Sequence, residues 1–344
     1  MTLRTALVLT AALALAACGG DGNAPDAASG DADGPLVVYT GRSETLVDEL
    51  VERFRAETGI EVEVRYGSDA EILAALQEEG AASPAHVFWA NTAGALGAAV
   101  EAGLLEALPD SLLGRPGAFV PSGGRWVPVT ARFRTLAYDP ADVDAGMLPA
   151  SVLDLPGQEN LRGRLGWTPQ YSSFQDFVTA LQIAEGEDAA RQWVEGVRAL
   201  DPTAYASNTA MLEALAAGEI DAALTNHYYI LRVTEADAAD TDPVATHRFA
   251  AGDVGNLALV TGAGVLAAGD RDAAAHRFLS FLLSEAAQRY AAEEVYEYPV
   301  VAGVETPAYL VPLAEARRLG PDLDFERLRD VGGALDLLRD QELL

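Results

Sequence analysis

The sequence has little of what ordinarily builds a metal or catalytic site. Its 344 residues include one cysteine, Cys18. An intrachain disulfide and a Cys-based zinc site are therefore both excluded. The four histidines, His86, His227, His247 and His276, are scattered, with no HExxH and no pair at metal spacing. Positive charge is scarce as well, with 23 basic against 52 acidic residues and a net charge of −29. Such a chain has no general electrostatic reason to hold nucleic acid or an anionic membrane surface. A solvated acidic exterior accounts for the excess. There is no P-loop, no GxGxxG and no nucleophile elbow, and Gly262-Ala263-Gly264 lies within an apolar strand pattern. The most apolar late stretch, Leu257 to Ala268, falls short of the ~20 residues that span a bilayer.

Half of the residues are apolar, so most of the chain is expected to fold, and its length suits two domains at ~150 residues each. Residues 1–18 read as an address. Arg4 is followed by the uncharged run Ala6 to Ala17, which is too short to span a membrane but right for the apolar region of an export signal. The run closes as Leu15-Ala16-Ala17-Cys18, which resembles a bacterial lipobox with Cys18 as the lipidated residue. Residues 19–35, rich in Gly, Asp, Ala and Pro, read as a flexible tether. These features predict export, and anchoring at the cell envelope by lipid alone.

From Leu36 the pattern alternates strand and helix. Leu36 to Tyr39, Ile60 to Tyr66 and His86 to Trp89 read as strands. Helices are predicted after Ser43 up to Gly59, over Asp69 to Glu79, and over Thr92 to Ala102. The rhythm returns with strands at Leu165 to Trp167, Ala222 to Thr225 and Leu257 to Leu266. Helices are expected at Ser173 to Ala184, at Asp188 to Leu200, and at Thr209 to Ala217 capped by Asn208. Two more follow around Ala273 to Leu283 and Glu285 to Ala292. An α/β architecture with a largely parallel sheet follows, with ligand-binding loops at strand ends.

Three groups of residues offer chemistry. Tyr228-Tyr229 follows an apolar strand. Phenolate is a hard donor suited to a hard trivalent cation, although a packing pair is the ordinary reading of two tyrosines. Adjacent side chains on a strand face opposite ways, so both reach one metal only if the backbone leaves the strand there, with Asn226 placed to cap the change. Gln170-Tyr171-Ser172-Ser173-Phe174 reads as a strand-to-helix loop. Its N–H groups and hydroxyls either form an anion site or simply cap a helix. Arg42 and Arg132 are candidate bidentate anion clamps or ordinary ion-pair partners.

Several segments, taken together, resemble the ferric-iron-binding components of bacterial ABC importers. They are LVVYTGRSE (36–44), AHVFWANT (85–92), WVPVTARFRTLAYD (126–139), GWTPQYSSF (166–174), the stretch from Tyr205 to Tyr229, and Glu297-Tyr298-Pro299. The resemblance implies a two-domain periplasmic-binding-protein fold of type II with a cleft between the domains and a two-strand hinge. The first domain would comprise 36–131 and 259–308, the second 132–258 and 309–344. It also implies a non-catalytic protein that binds Fe3+ and delivers it to a membrane permease, working as a monomer. Tyr228 and Tyr229 become metal ligands under this reading. The familiar His and Glu ligand positions hold Ser43 and Asn91, and the third tyrosine of a cyanobacterial-type branch is Phe174 here. The resemblance then implies Tyr171 as the third phenolate, with carbonate or bicarbonate as synergistic anion. Arg42, Arg132, Ser172, Ser173, Asn208 and Asn226 would hold that anion. The competing reading is a same-fold binder of a polyamine, thiamine or a phosphonate. A tethered hydrolase would require an activated nucleophile that the sequence does not offer.

Overall fold

A computed structural model describes residues 34–236 and 243–344. The leader, Cys18 and nearly all of the tether lie outside the described residues. The folded chain opens with β1 (Leu36–Thr40), α1 (Glu44–Thr58), β2 (Val62–Tyr66), α2 (Asp69–Glu79), β3 (Val87–Ala90), α3 (Ala93–Glu101) and α4 (Asp110–Leu113). α1 buries Leu46, Val47, Leu50, Val51 and Phe54 on one stripe. It stops at Gly59, whose φ of 71° is the left-handed value that glycine adopts without cost. α2 starts on a reciprocal box in which Ser68 Oγ accepts from Glu71 N and the Glu71 carboxylate accepts from Ser68 N at 2.8 Å.

Next come β4 (Val127–Tyr138), β5 (Leu165–Trp167), α5 (Ser172–Glu185), α6 (Glu187–Ala199), β6 (Thr203–Ala204) and α7 (Asn208–Ala216). They are followed by β7 (Ala222–Asn226), α8 (His227–Ala236), β8 (Ala245–His247) and β9 (Ala258–Val265). α9 (Asp272–Leu282), α10 (Glu285–Glu293), β10 (Tyr298–Pro299), α11 (Leu313–Leu319) and α12 (Gly332–Asp340) complete the chain.

The strands run in the order β2-β1-β3-β9-β4-β7-β5-β6, with β8 and β10 both added to β4. The sheet is mixed, which corrects the expectation of a largely parallel one. β1 pairs in parallel with β2 and β3, and β5 with β6 and β7. β9 runs antiparallel to both β3 and β4, and β4 antiparallel to β7. β3 and β4, joined through α3 and α4, run the same way, and β9, which arrives from the later part of the chain, is inserted between them antiparallel to both.

β4 also changes partner. Its residues 127–133 pair with β9, and from Arg134 onward it pairs with β7. The strand thus belongs to two half-sheets, each with its own core. Phe54, Trp89 and Phe278 pack under one, and Trp167, Phe174, Phe177 and Trp193 under the other. The expected domain boundaries at 131/132 and 258/259 fall in β4 and β9. A C-terminal stretch ties the halves together. Phe325 packs edge-on against Phe119 and Trp126 at 6.0 and 6.1 Å, while Leu328, Leu337 and Leu338 enter the core of Trp167 and Phe177. Among the described residues no helix is long and apolar enough to cross a membrane.

Candidate functional site

Three tyrosines meet where β4 changes partner. β7 ends at Asn226 and α8 begins at His227 with no intervening loop. The backbone therefore passes from extended to helical just before the tyrosine pair. Successive helical side chains diverge by about 100°, not the 180° of a strand. The rings of Tyr228 and Tyr229 accordingly stack, 4.1 Å apart and tilted by 31°. Both are buried. Tyr171 stands at the N-cap of α5, and its Oη lies 3.1 Å from Tyr229 Oη. Burial raises the pKa of all three phenols well above the ordinary value, and each also raises a neighbour's. In the structure described, the three are neutral phenols near neutral pH.

Guanidinium groups surround these phenols. Arg42, in the turn after β1, donates from Nη2 to Glu297 Oε2 at 2.9 Å, and the pair is almost wholly buried. Thr130 Oγ1 donates to the same carboxylate oxygen at 2.5 Å. Burial on its own would lower the Arg42 guanidinium, but Glu297, Tyr228 and Tyr171 outweigh it and raise it. Burial pushes Glu297 up, and Arg42 with Arg132 more than reverses this, so its carboxyl sits below the ordinary range.

Arg132 and Arg134 share a face of β4, two residues apart. Arg132 is 0% exposed and donates from Nη2 to the Asn91 carbonyl at 2.8 Å. Arg134 lies over the rings of Phe177 and Phe174 and reaches Asn226 Oδ1 at 3.4 Å. Burial, with Arg132 beside it, pushes the Arg134 guanidinium down to about 9.

Several buried donors here have no hydrogen-bond partner among the described residues. They are Arg42 Nε and Nη1, Arg132 Nε and Nη1, Arg134 Nη2, Ser173 Oγ, Asn208 Nδ2 and Asn226 Nδ2. Buried polar groups are ordinarily paired, and a concentration of unpaired donors is what a bound anion satisfies. Among the described residues no three of His, Cys, Asp and Glu gather to hold a metal.

The structure brings together Tyr171, Tyr228, Tyr229, Arg42, Arg132, Ser173, Asn208 and Asn226. Ser172 joins them at the start of α5, its Oγ accepting from Asn91 Nδ2 at 3.1 Å. One local expectation is corrected. Asn208 does not cap α7. Ser207 does, in extended conformation, with its Oγ accepting from Ala210 N. Asn208 becomes the first helical residue, and its Oδ1 accepts from Thr225 at 3.4 Å and Thr168 at 3.5 Å. Its Nδ2 is thereby left for another acceptor. Ser43, next to Arg42 in the chain, is exposed at the start of α1, its Oγ 3.2 Å from Thr45 Oγ1.

A family model described as bacterial extracellular solute-binding protein matches residues 49–310. The chain belongs to that family. Its fold is the α/β periplasmic-binding-protein fold, and proteins of this family bind solutes and are not enzymes. The Fe(3+)-binding periplasmic protein of Serratia marcescens is 31% identical over 291 residues, which is 84% of this chain and 86% of that protein. Iron uptake protein A1 of Synechocystis is 30% identical over 90% of this chain and 89% of its own. Among solved structures, iron-bound HitA from Pseudomonas aeruginosa superposes with a TM-score of 0.83 at 32% identity, covering 89% of this chain and 98% of that one.

Sequence reasoning missed four charged members of this family member's site. Arg134 was visible as the i, i+2 partner of Arg132 on any strand through TARFRT. Glu297 lies in the Glu297-Tyr298-Pro299 segment, but nothing local marks it as the buried partner of a residue 255 positions earlier. Asp69 accepts from Asn91 N at 2.8 Å and Thr92 Oγ1 at 2.9 Å and so holds the turn between β3 and α3. Its trace is Gly41, where a Cβ would lie 1.6 Å from Asp69 Oδ1. Asp176, on α5, is buried and linked electrostatically to Arg132, Asp69 and Arg134. Burial pushes its carboxyl up to about 8.

Proposed function

We propose that this protein is the substrate-binding lipoprotein of an ABC importer, binding Fe3+ through Tyr171, Tyr228 and Tyr229 together with a small synergistic anion. The observation that carries the reading is the meeting of three phenols, buried Tyr228 and Tyr229 and half-buried Tyr171, with two hydroxyls 3.1 Å apart, among guanidiniums that keep unpaired N–H groups. Curated relatives named for ferric-iron binding support it at 30–31% identity, as does the likeness to an iron-bound structure.

The charges balance under this reading. Arg42, Arg132 and Arg134 oppose the carboxylates of Asp69 and Glu297, with Asp176 protonated at pH 7, which leaves one positive charge. Fe3+ brings three charges and displaces three phenol protons, so the surplus is unchanged. Bicarbonate, held by Arg42, Arg132, Ser172, Ser173, Asn208 and Asn226, would neutralise it, and carbonate in the same place would leave one negative charge. A similar structure, from Trichodesmium, is in complex with iron and citrate, so a carboxylate anion is a second occupant to test.

Export and lipidation at Cys18, with 19–35 as tether, would hold the domain beside its permease. The halves 36–131 with 259–308, and 132–258 with 309–344, would close about β4 and β9. An organic cation such as a polyamine or thiamine suits this site poorly, since three buried arginines would repel it.

The test is optical. Protein loaded with Fe3+ and bicarbonate is expected to show a tyrosinate-to-iron band in the visible, absent from Tyr228→Phe and Tyr229→Phe, with little change in thermal stability. Retention of the band and of full affinity by both variants would reject the phenolate reading.

A further inference from the structure

Asp176 lies on α5, one turn beyond Ser172 and Ser173. It is 3% exposed, and its Oδ2 has no hydrogen-bond partner among the described residues. The charged groups that face it are Arg132 and Arg134 from β4 and Asp69 at the start of α2. α3 closes the space with backbone, since a Cβ on Gly94 would stand 3.5 Å from Asp176 Oδ1. Arg132 Nε and Nη1 and Arg134 Nη2 are unpaired in the same buried region. A carboxylate and two guanidiniums with free N–H groups thus share one enclosure without the hydrogen bonds that such groups ordinarily form. That arrangement is stable only while the acid is neutral, because a buried ionised carboxylate must be paired.

We propose that Asp176 is the protein's own competitor for the anion site, leaving Arg132 and Arg134 to an incoming anion while it is protonated and engaging them itself once it ionises. The inference rests on the anion site proposed above and adds a residue that sets when that site is available. Burial, helped by Asp69, raises the acid to about 8 against the pull of Arg132 and Arg134. At pH 7 about nine-tenths of the protein then carries neutral Asp176, and at pH 9 about one-tenth does. If only the neutral form admits the anion, anion affinity falls about tenfold across that window.

The probe is oxalate, whose charge is constant from pH 6 to pH 10, titrated calorimetrically into the iron-free protein at pH 7, 8 and 9. The phenols do not titrate in this range, since burial raises all three. The expected result is a loss of affinity of at least about tenfold from pH 7 to pH 9 in the parent protein, reduced in Asp176→Asn to the about twofold that half-deprotonation of Arg134, at about 9, allows. A flat parent profile overturns the proposal and needs no variant. A loss that persists undiminished in Asp176→Asn also overturns it, because Arg134 would then account for the whole of it. If Asp176→Asn fails to fold, Asp176→Ser serves as the uncharged arm. Absence of oxalate binding at pH 7 rejects the anion site itself, and the visible iron band tests the phenolates separately.

Discussion

Replacing Tyr171 by phenylalanine separates a metal ligand from a hydrogen-bonding wall residue. The substitution keeps the ring and deletes the Oη that lies 3.1 Å from Tyr229 Oη. If Tyr171 only supports Tyr229, the loss is one hydrogen bond, about 1 kcal/mol, and iron affinity falls less than about tenfold. If Tyr171 is a ligand, the loss is far larger. A unit charge about 4 Å from a trivalent ion at an effective dielectric of about 20 is worth about 12 kcal/mol. Against this stands the cost of deprotonating a phenol at pH 7, about 4 kcal/mol at the ordinary acidity and more after burial. The remainder is several kcal/mol, an affinity loss of at least about 10³-fold. Competition against a chelator of known strength measures it, and the visible spectrum provides a second reading. A ligand-field change must shift the tyrosinate band, whereas a lost hydrogen bond leaves it nearly in place. Tyr171→Phe protein with the parent spectrum and affinity within tenfold would refute the third-phenolate assignment. Ser43→Ala, exposed and with its hydroxyl on Thr45, is the control and is expected to have a much smaller effect.

Three further outcomes are expected. Loading one Fe3+ at constant pH is expected to release about three protons, so affinity falls steeply on acidification; a pH-stat count near zero would exclude three neutral phenols as the ligand set. Glu297→Ala leaves Arg42 buried without its carboxylate and is expected to cost about 3–5 kcal/mol by denaturant unfolding. Because the Glu297 carboxyl is held below its ordinary 4.5, its contribution is complete above that pH and is lost as pH falls through the depressed value. Cys18→Ser protein is expected to leave the membrane fraction while still binding iron, and persistent membrane association after signal cleavage would reject the lipid anchor.

Much of the fold was legible because local rules suffice for it. Helix α2 runs from Asp69 to Glu79 and β5 from Leu165 to Trp167, as the pattern predicts, because a capping box and a short apolar run between breakers are local signals. Strand direction was not legible. Whether β9 runs with or against β3 depends on the path of the chain between them, and the period-2 pattern is the same for either direction. The tyrosine pair was legible only as a condition, that the backbone must leave the strand at Asn226. The partners of Arg42 and Asp176 were not legible at all, because they come from other elements of the chain.

The acidity of the chain and the chemistry of its site work on different length scales. The net charge of −29 is mostly exposed, and at physiological salt such charge is screened beyond about 8 Å. It can draw a cation toward the surface, but it cannot offset charge inside. Within the enclosure, Arg42, Arg132 and Arg134 are each no more than 4% exposed, so their fields are little screened. Under the ferric reading proposed above, a trivalent cation entering this positive enclosure would be repelled unless it exchanged its charge for three phenol protons and arrived with an anion. That requirement would couple metal, proton and anion in one step. It follows from the placement of three guanidiniums around three phenols in an otherwise acidic protein.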